Sequence, residues 1–167
     1  MRFILFILSL SISVISLAGT EHANNNIQIA NISDQNSPTE MQNKTNIIKL
    51  MQWMNAAMTD PTLINQTAIE HFFQPNIQYR VNGKIYAEDT KMLTQRFKTL
   101  VKLQQSGKIA LPMSHIALAG NNVAINYQFV VKNNHNISRT DDITALIQFK
   151  NGKISSWQSV AASVNIK

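Results

Sequence analysis

The chain has 167 residues, is 44% hydrophobic and 14% charged, and carries a formal net charge of +6 with no cysteine. This length supports one domain with a real core rather than two. The missing thiol excludes disulfides, zinc–thiolate sites, haem thioethers and cysteine nucleophiles, and basic residues scattered without a run favour solubility, with no nucleic-acid partner expected.

Met1-Arg2 opens the chain with a positive charge, Phe3 to Leu17 is apolar with interspersed serines, and Ser16-Leu17-Ala18-Gly19 ends the stretch in small residues. Residues 1–18 read as a signal peptide. The stretch falls short of the roughly 20 apolar residues needed to span a bilayer. Cleavage after Ala18 satisfies both small-residue positions, whereas cleavage after Ala23 would put Glu21 at one of them. Loss of Arg2 takes the charge from +6 to +5. The expected product is exported, periplasmic or extracellular, with no stable membrane anchor after cleavage and no cysteine to carry a lipid. Residues 19–36 are rich in Asn, Gln, Ser and Asp, bury too little apolar surface to offset their ordering entropy, and read as a flexible polar linker.

The domain is expected over 37–167. Ser37-Pro38-Thr39-Glu40 combines an N-cap serine, a proline at the first helical position and a glutamate that closes a capping box. Met41, Ile47, Ile48, Leu50, Met51, Met54, Ala57 and Met58 then recur at helical spacing, and a Met-rich stripe of this kind is a core filler before it is a binding groove. Asp60-Pro61 ends this helix and caps a second one through Leu63, Ile64, Ala68 and Phe72, forming a helical hairpin. Ile77, Tyr79 and Val81 alternate with polar residues up to the Asn82-Gly83 turn, and the hairpin returns through Ile85. A third helix is predicted from Glu88 to Leu103, with Leu93, Phe97 and Leu100 on one face and lysines on the other. Four strands follow: Lys108 to Ala119, Val123 to Lys132, Ile137 to Phe149 and Lys153 to Val164. Helices followed by a meander define an α+β domain, a curved sheet packed against N-terminal helices.

Three segments carry a family resemblance. Phe72-Phe73-Gln74-Pro75-Asn76-Ile77-Gln78-Tyr79 resembles the aromatic, proline, amide and apolar entry into the first strand of the nuclear transport factor 2-like superfamily, in its SnoaL-like and ketosteroid-isomerase-like branches. Asn82-Gly83-Lys84-Ile85-Tyr86-Ala87 resembles that family's step into the third helix, with Ala87 where glycine is common. Phe149-Lys150-Asn151-Gly152-Lys153-Ile154-Ser155-Ser156-Trp157 resembles the turn before its last strand. The resemblance covers roughly Ser37 to Val164 and implies a cone-shaped, curved antiparallel sheet. In the isomerase branch a carboxylate near the end of the first strand is the general base. That position falls at about Val81, which accepts no proton, and a one-residue shift offers only Arg80 or Asn82, so the fold carries over without its proton-transfer chemistry.

The remaining ionisable groups form no recognised spacing. His71 suits the end of the second helix as a dipole-capping residue, His135 sits among asparagines in a loop, and His22 precedes the domain. His115 lies within a strand on the face opposite Ile116 and Leu118, where it acts as an acid or base if that face lines a cavity. In Arg139-Thr140-Asp141-Asp142, alternation puts Asp142 with Thr144 and Leu146, as a general base if buried or as a strand-end ion pair if not. No His and carboxylate spacing suggests a metal, no glycine loop suggests a nucleotide, and no cofactor is expected. A ligand pocket is expected near Trp53, Tyr79, His115, Asp142 and Trp157. Two readings follow. One is an exported non-enzymatic module that binds a small apolar or amphipathic ligand or serves as an assembly domain; a homodimer paired through the outer sheet face is expected as well. The other is a cofactor-independent isomerase, cyclase or hydratase using His115 or Asp142 with Tyr79.

Overall fold

In a computed structural model that describes residues 36–103, 107–132 and 138–165, two α-helices, a β-hairpin and a third α-helix precede the five remaining strands of a seven-stranded sheet. The signal peptide over 1–18, the linker over 19–36 except Asn36, and His22 and His135 lie outside the described residues. Helix α1 (Pro38–Thr59) begins with the anticipated capping box: Glu40 N–H donates to Ser37 Oγ (3.2 Å), and Ser37 N–H donates to Glu40 Oε2 (2.7 Å). A single turn of 3-10 helix (Pro61–Leu63), capped by Asp60, leads into α2 (Gln66–Phe72). Strand β1 (Phe73–Val81) follows without a linker and turns at Asn82-Gly83 into β2 (Lys84–Ala87). Both turn residues have positive φ, 48° and 78°, the geometry that an Asn-Gly pair adopts at little strain. Helix α3 (Thr90–Leu103) starts with Met92 N–H donating to Asp89 Oδ1. The remaining strands are β3 (Lys108–Ile109), β4 (His115–Ala119), β5 (Asn122–Lys132), β6 (Ser138–Lys150) and β7 (Lys153–Asn165).

The sheet order is β2-β1-β7-β6-β5-β3, with β4 also paired to β5. Two features differ from the sequence expectation. The segment Lys108 to Ala119 is not one strand but two, separated by a stretch containing Pro112, which has no N–H to give to a ladder. The sheet is also not wholly antiparallel, because β1 lies parallel to β7, with Tyr79 opposite Trp157 and Val81 opposite Ser159.

The period-2 pattern decides which face is covered. Val123, Ile125, Tyr127 and Phe129 of β5, and Ala145, Ile147 and Phe149 of β6, are buried beneath the helices. Ile47, Leu50 and Met51 of α1 are fully buried, each contributing about 1.5–3 kcal/mol of apolar transfer. The same helix holds the sheet through polar side chains. Glu40 Oε1 accepts from Gly120 N–H (2.8 Å), Asn43 Nδ2 donates to Gly120 O (3.2 Å) and Asn46 Nδ2 donates to Gly152 O (3.1 Å). Asn55 grips Ile109 at both ends of its amide, taking Ile109 N–H at 2.8 Å and donating to Ile109 O at 3.0 Å. Helix α1 thus clips two turns and an edge strand of the sheet that its apolar face covers.

Candidate functional site

Between the helices and the covered face of the sheet lies a cavity of about 180 Å³. Its helical wall is Met54 and Met58 of α1 with Arg96 and Leu100 of α3. Its sheet wall runs from Tyr79 and Val81 through Ser159, Ala161, Ile143 and Asp141 to Tyr127, Phe129 and Ile109. A smaller apolar cleft adjoins it through shared residues Met54, Met58 and Leu100, and is further lined by Trp53, Ala57, Ile64, Phe97 and Val101. Gly107 bounds the Phe129 side. A Cβ there would collide with the Phe129 ring, so this wall requires the glycine.

Five polar side chains interrupt the apolar lining, one of them Ser159, whose hydroxyl donates to Arg80 O at 3.5 Å. Tyr79 is 8% exposed and Tyr127 6%, and neither hydroxyl has a hydrogen-bond partner among the described residues. Burial pushes the Tyr79 phenol up to about 12, with the nearby Arg96 charge pulling weakly the other way. Burial raises Tyr127 further still. Both are therefore protonated donors at neutral pH. Asp141, 7% exposed, has both oxygens engaged: Arg139 Nη2 donates to Oδ2 (2.9 Å) and Ser163 Oγ donates to Oδ1 (2.7 Å). Arg96 stacks over the Tyr86 ring with its guanidinium carbon 4.1 Å from the centroid, and its buried Nε has no acceptor.

Of the five residues expected at the pocket, Tyr79 lines the cavity and Trp53 the adjoining cleft, where its ring lies 5.6 Å from Phe72 and 6.3 Å from Phe97. Trp157 packs behind Tyr79, stacked at 6.1 Å, and its buried indole N–H has no acceptor. His115 and Asp142 are not at the cavity. His115 is exposed on β4 opposite Asn126, and Asp142 lies on the outer face, where Gln128 Nε2 donates to it at 3.0 Å. The physical reason is that cavity and core share one face of the sheet. The acid on that face is Asp141, in step with Ile143, Ala145 and Ile147. Arg96 was missed because α3 was read as apolar on one side and basic on the other. It follows Leu93 by three residues and precedes Leu100 by four, which places it at the edge of the apolar sector. His71, in the last turn of α2, is exposed and meets the Phe72 ring edge-on. Among the described residues no cluster of metal-ligating side chains occurs.

Neither a family model nor a curated protein sequence matches the chain. Solved structures do. A protein described as a SnoaL-like polyketide cyclase from Jannaschia sp. CCS1 superposes with a TM-score of 0.64 at 11% identity, over 76% of this chain and 90% of its own. The epoxide hydrolase/cyclase-like enzyme SalBIII, of pyran ring formation in the polyether salinomycin, gives 0.60 at 17% identity over 74% and 92%. An LEH-like epoxide hydrolase of M. tuberculosis gives 0.57 at 9% identity over 75% and 86%. The chain has the α+β fold of SnoaL-like and nuclear transport factor 2-like proteins, a fold that houses cyclases and epoxide hydrolases. Identities this low speak for the fold alone.

Proposed function

We propose that this protein is an exported, non-enzymatic module that holds a compact amphipathic small molecule between its helices and its sheet. The observation that carries this reading is the cavity itself: apolar walls, two phenolic donors, and a single lining carboxylate already satisfied by Arg139 and Ser163. Small-ligand sites are built in this way, from apolar surface with a few placed polar groups. Proton transfer asks for more. A general base must reach the proton it abstracts, and both Asp141 oxygens are already engaged, by Arg139 and by Ser163.

Volume narrows the ligand. Drug-sized molecules occupy pockets of about 300–1,000 Å³, so 180 Å³ suits a single ring or a short chain and cannot enclose a steroid. Met54 and Met58 supply an adaptable wall, since thioether side chains repack at little cost. Export follows from the leader, and a homodimer through the outer sheet face completes the proposal. The cyclases and epoxide hydrolases of the same fold favour a second reading, a cofactor-independent enzyme in which Asp141 acts with Tyr79 or Tyr127.

One titration separates the two. Benzyl alcohol or hexan-1-ol should change the fluorescence of Trp53 and Trp157 saturably, because one lines the adjoining cleft and the other stacks on a cavity residue. An Asp141→Asn variant should retain that binding. No saturable response from either probe removes the binding reading. Turnover of an epoxide or cyclisable substrate that disappears in Asp141→Asn replaces it with the enzymatic one.

A further inference from the structure

Resting on the reading of the cavity as a ligand site, we propose that its ligand is a carboxylate, and that Arg96 receives the carboxylate head while the apolar walls take the body.

The argument is one of unbalanced charge. Arg139 and Asp141 neutralise one another at one end of the cavity, with their ion pair at 2.9 Å. Arg96 has no such partner: among the described residues no carboxylate lies within ion-pair distance of it. Its buried Nε has no acceptor, and no other hydrogen bond is made by its guanidinium among the described residues. Burying a polar N–H without a partner is costly, and a guanidinium resolves that cost by donating a fork of two N–H groups to the two oxygens of a carboxylate. The Tyr86 ring, 4.1 Å from the guanidinium carbon, offsets part of the charge. It does not supply the paired oxygens that a guanidinium fork fits.

The surroundings specify the rest. Tyr79 shares the cavity with Arg96, and its unpartnered hydroxyl is a second donor suited to an oxyanion. Asp141 lines the same cavity, but its two oxygens are already taken by Arg139 and Ser163, so it does not answer the charge of Arg96. A single lining arginine with phenolic donors suits a monoanion better than a phosphate dianion, which calls for several cations. At ~30 Å³ per water, 180 Å³ holds about six water volumes, so the body is a short aliphatic chain or one aromatic ring.

The test pairs each carboxylate with its neutral isostere. Hexanoate against hexan-1-ol, and benzoate against benzyl alcohol, are titrated by calorimetry into the wild-type protein, Arg96→Gln and Arg96→Lys, with circular dichroism to show that each variant is folded. The expected result is that the wild type prefers at least one carboxylate over its alcohol by about 10- to 100-fold. Arg96→Gln should erase that preference while the alcohol still binds, and Arg96→Lys should restore it in part because it keeps the charge without the fork. Equal binding of acid and alcohol to the wild type overturns the carboxylate assignment and leaves cavity binding standing. So does a preference that survives in Arg96→Gln. Binding of none of the four probes overturns both.

Discussion

Replacing Asn55 should open the cavity from its edge. Asn55 lies on α1 yet behaves towards Ile109 as a neighbouring strand would, accepting its N–H and donating to its carbonyl on the side of β3 that faces away from β5. Ile109 is 1% exposed and forms part of the cavity wall. Asn55→Ala removes two hydrogen bonds, each worth about 0.5–1.5 kcal/mol net, and strands two backbone groups in a partly buried site, so the loss should be about 2–3 kcal/mol. With a urea m-value of about 1–3 kcal/mol/M, the midpoint should fall by roughly 1 M. Asn55→Asp is more discriminating. Its carboxylate still accepts the Ile109 N–H but opposes the Ile109 carbonyl with a second acceptor; once protonated it can donate to that carbonyl and restore the pair. Facing an acceptor, this carboxyl titrates above its unfolded value of about 4, so its deficit relative to wild type should shrink as the pH falls towards about 4 and level off below it. A loss under about 0.5 kcal/mol in Asn55→Ala, or an Asn55→Asp deficit that ignores pH, would refute the reading of this side chain as a strand mimic.

Alkali should unfold the protein through its buried phenols. Tyr79 has a folded-state value of about 12 against 10.0 ordinarily, so its contribution is intact below pH 10 and is lost as the pH rises through about 12. That contribution is on the order of 3 kcal/mol. Phenolate absorbance should appear cooperatively with unfolding, and Tyr79→Phe should flatten this limb; a gradual titration in the folded state would contradict the burial. The outer face carries Leu146 and Val160, 55% and 64% exposed, on adjacent strands. Light scattering at micromolar concentration should give a dimer that Leu146→Asp converts to monomer, and a monomeric wild type ends that proposal.

Local chemistry made much of the fold legible. Ser37-Pro38-Thr39-Glu40 starts α1, Asn82-Gly83 and Asn151-Gly152 turn the chain at positive φ, and the alternation in β5 separates buried Val123, Ile125, Tyr127 and Phe129 from their neighbours. The parallel β1–β7 pair was not legible, because period-2 alternation says which face a residue takes but not which strand lies beside it. The site was read less well than the fold. Tyr79 and Asp141 line the cavity, whereas Asp142, singled out by its place at the strand opening, falls on the other face. Here the polar groups enter on the apolar face, singly, among Ile143, Tyr127 and Val81. Arg96, at the edge of an apolar helix sector, had the same kind of signature.

The pairing of β1 with β7 also bears on the order in which the molecule can be assembled. Tyr79 and Trp157 are partners across a gap of 78 residues, and this contact joins the first hairpin to the rest of the sheet. The hairpin β1–β2 and the meander β5–β6–β7 can each form from neighbours in the chain, whereas the seam between them waits for the last strand. Until that strand arrives, β1 is paired only with β2 on one side, and the helices have only part of the surface they cover. Contacts this far apart in sequence slow folding and leave apolar edges open in the interim. A chain without β7 in place is therefore two local pieces without a seam, and the cavity, whose wall includes Ser159 and Ala161, is among the last features to come into being.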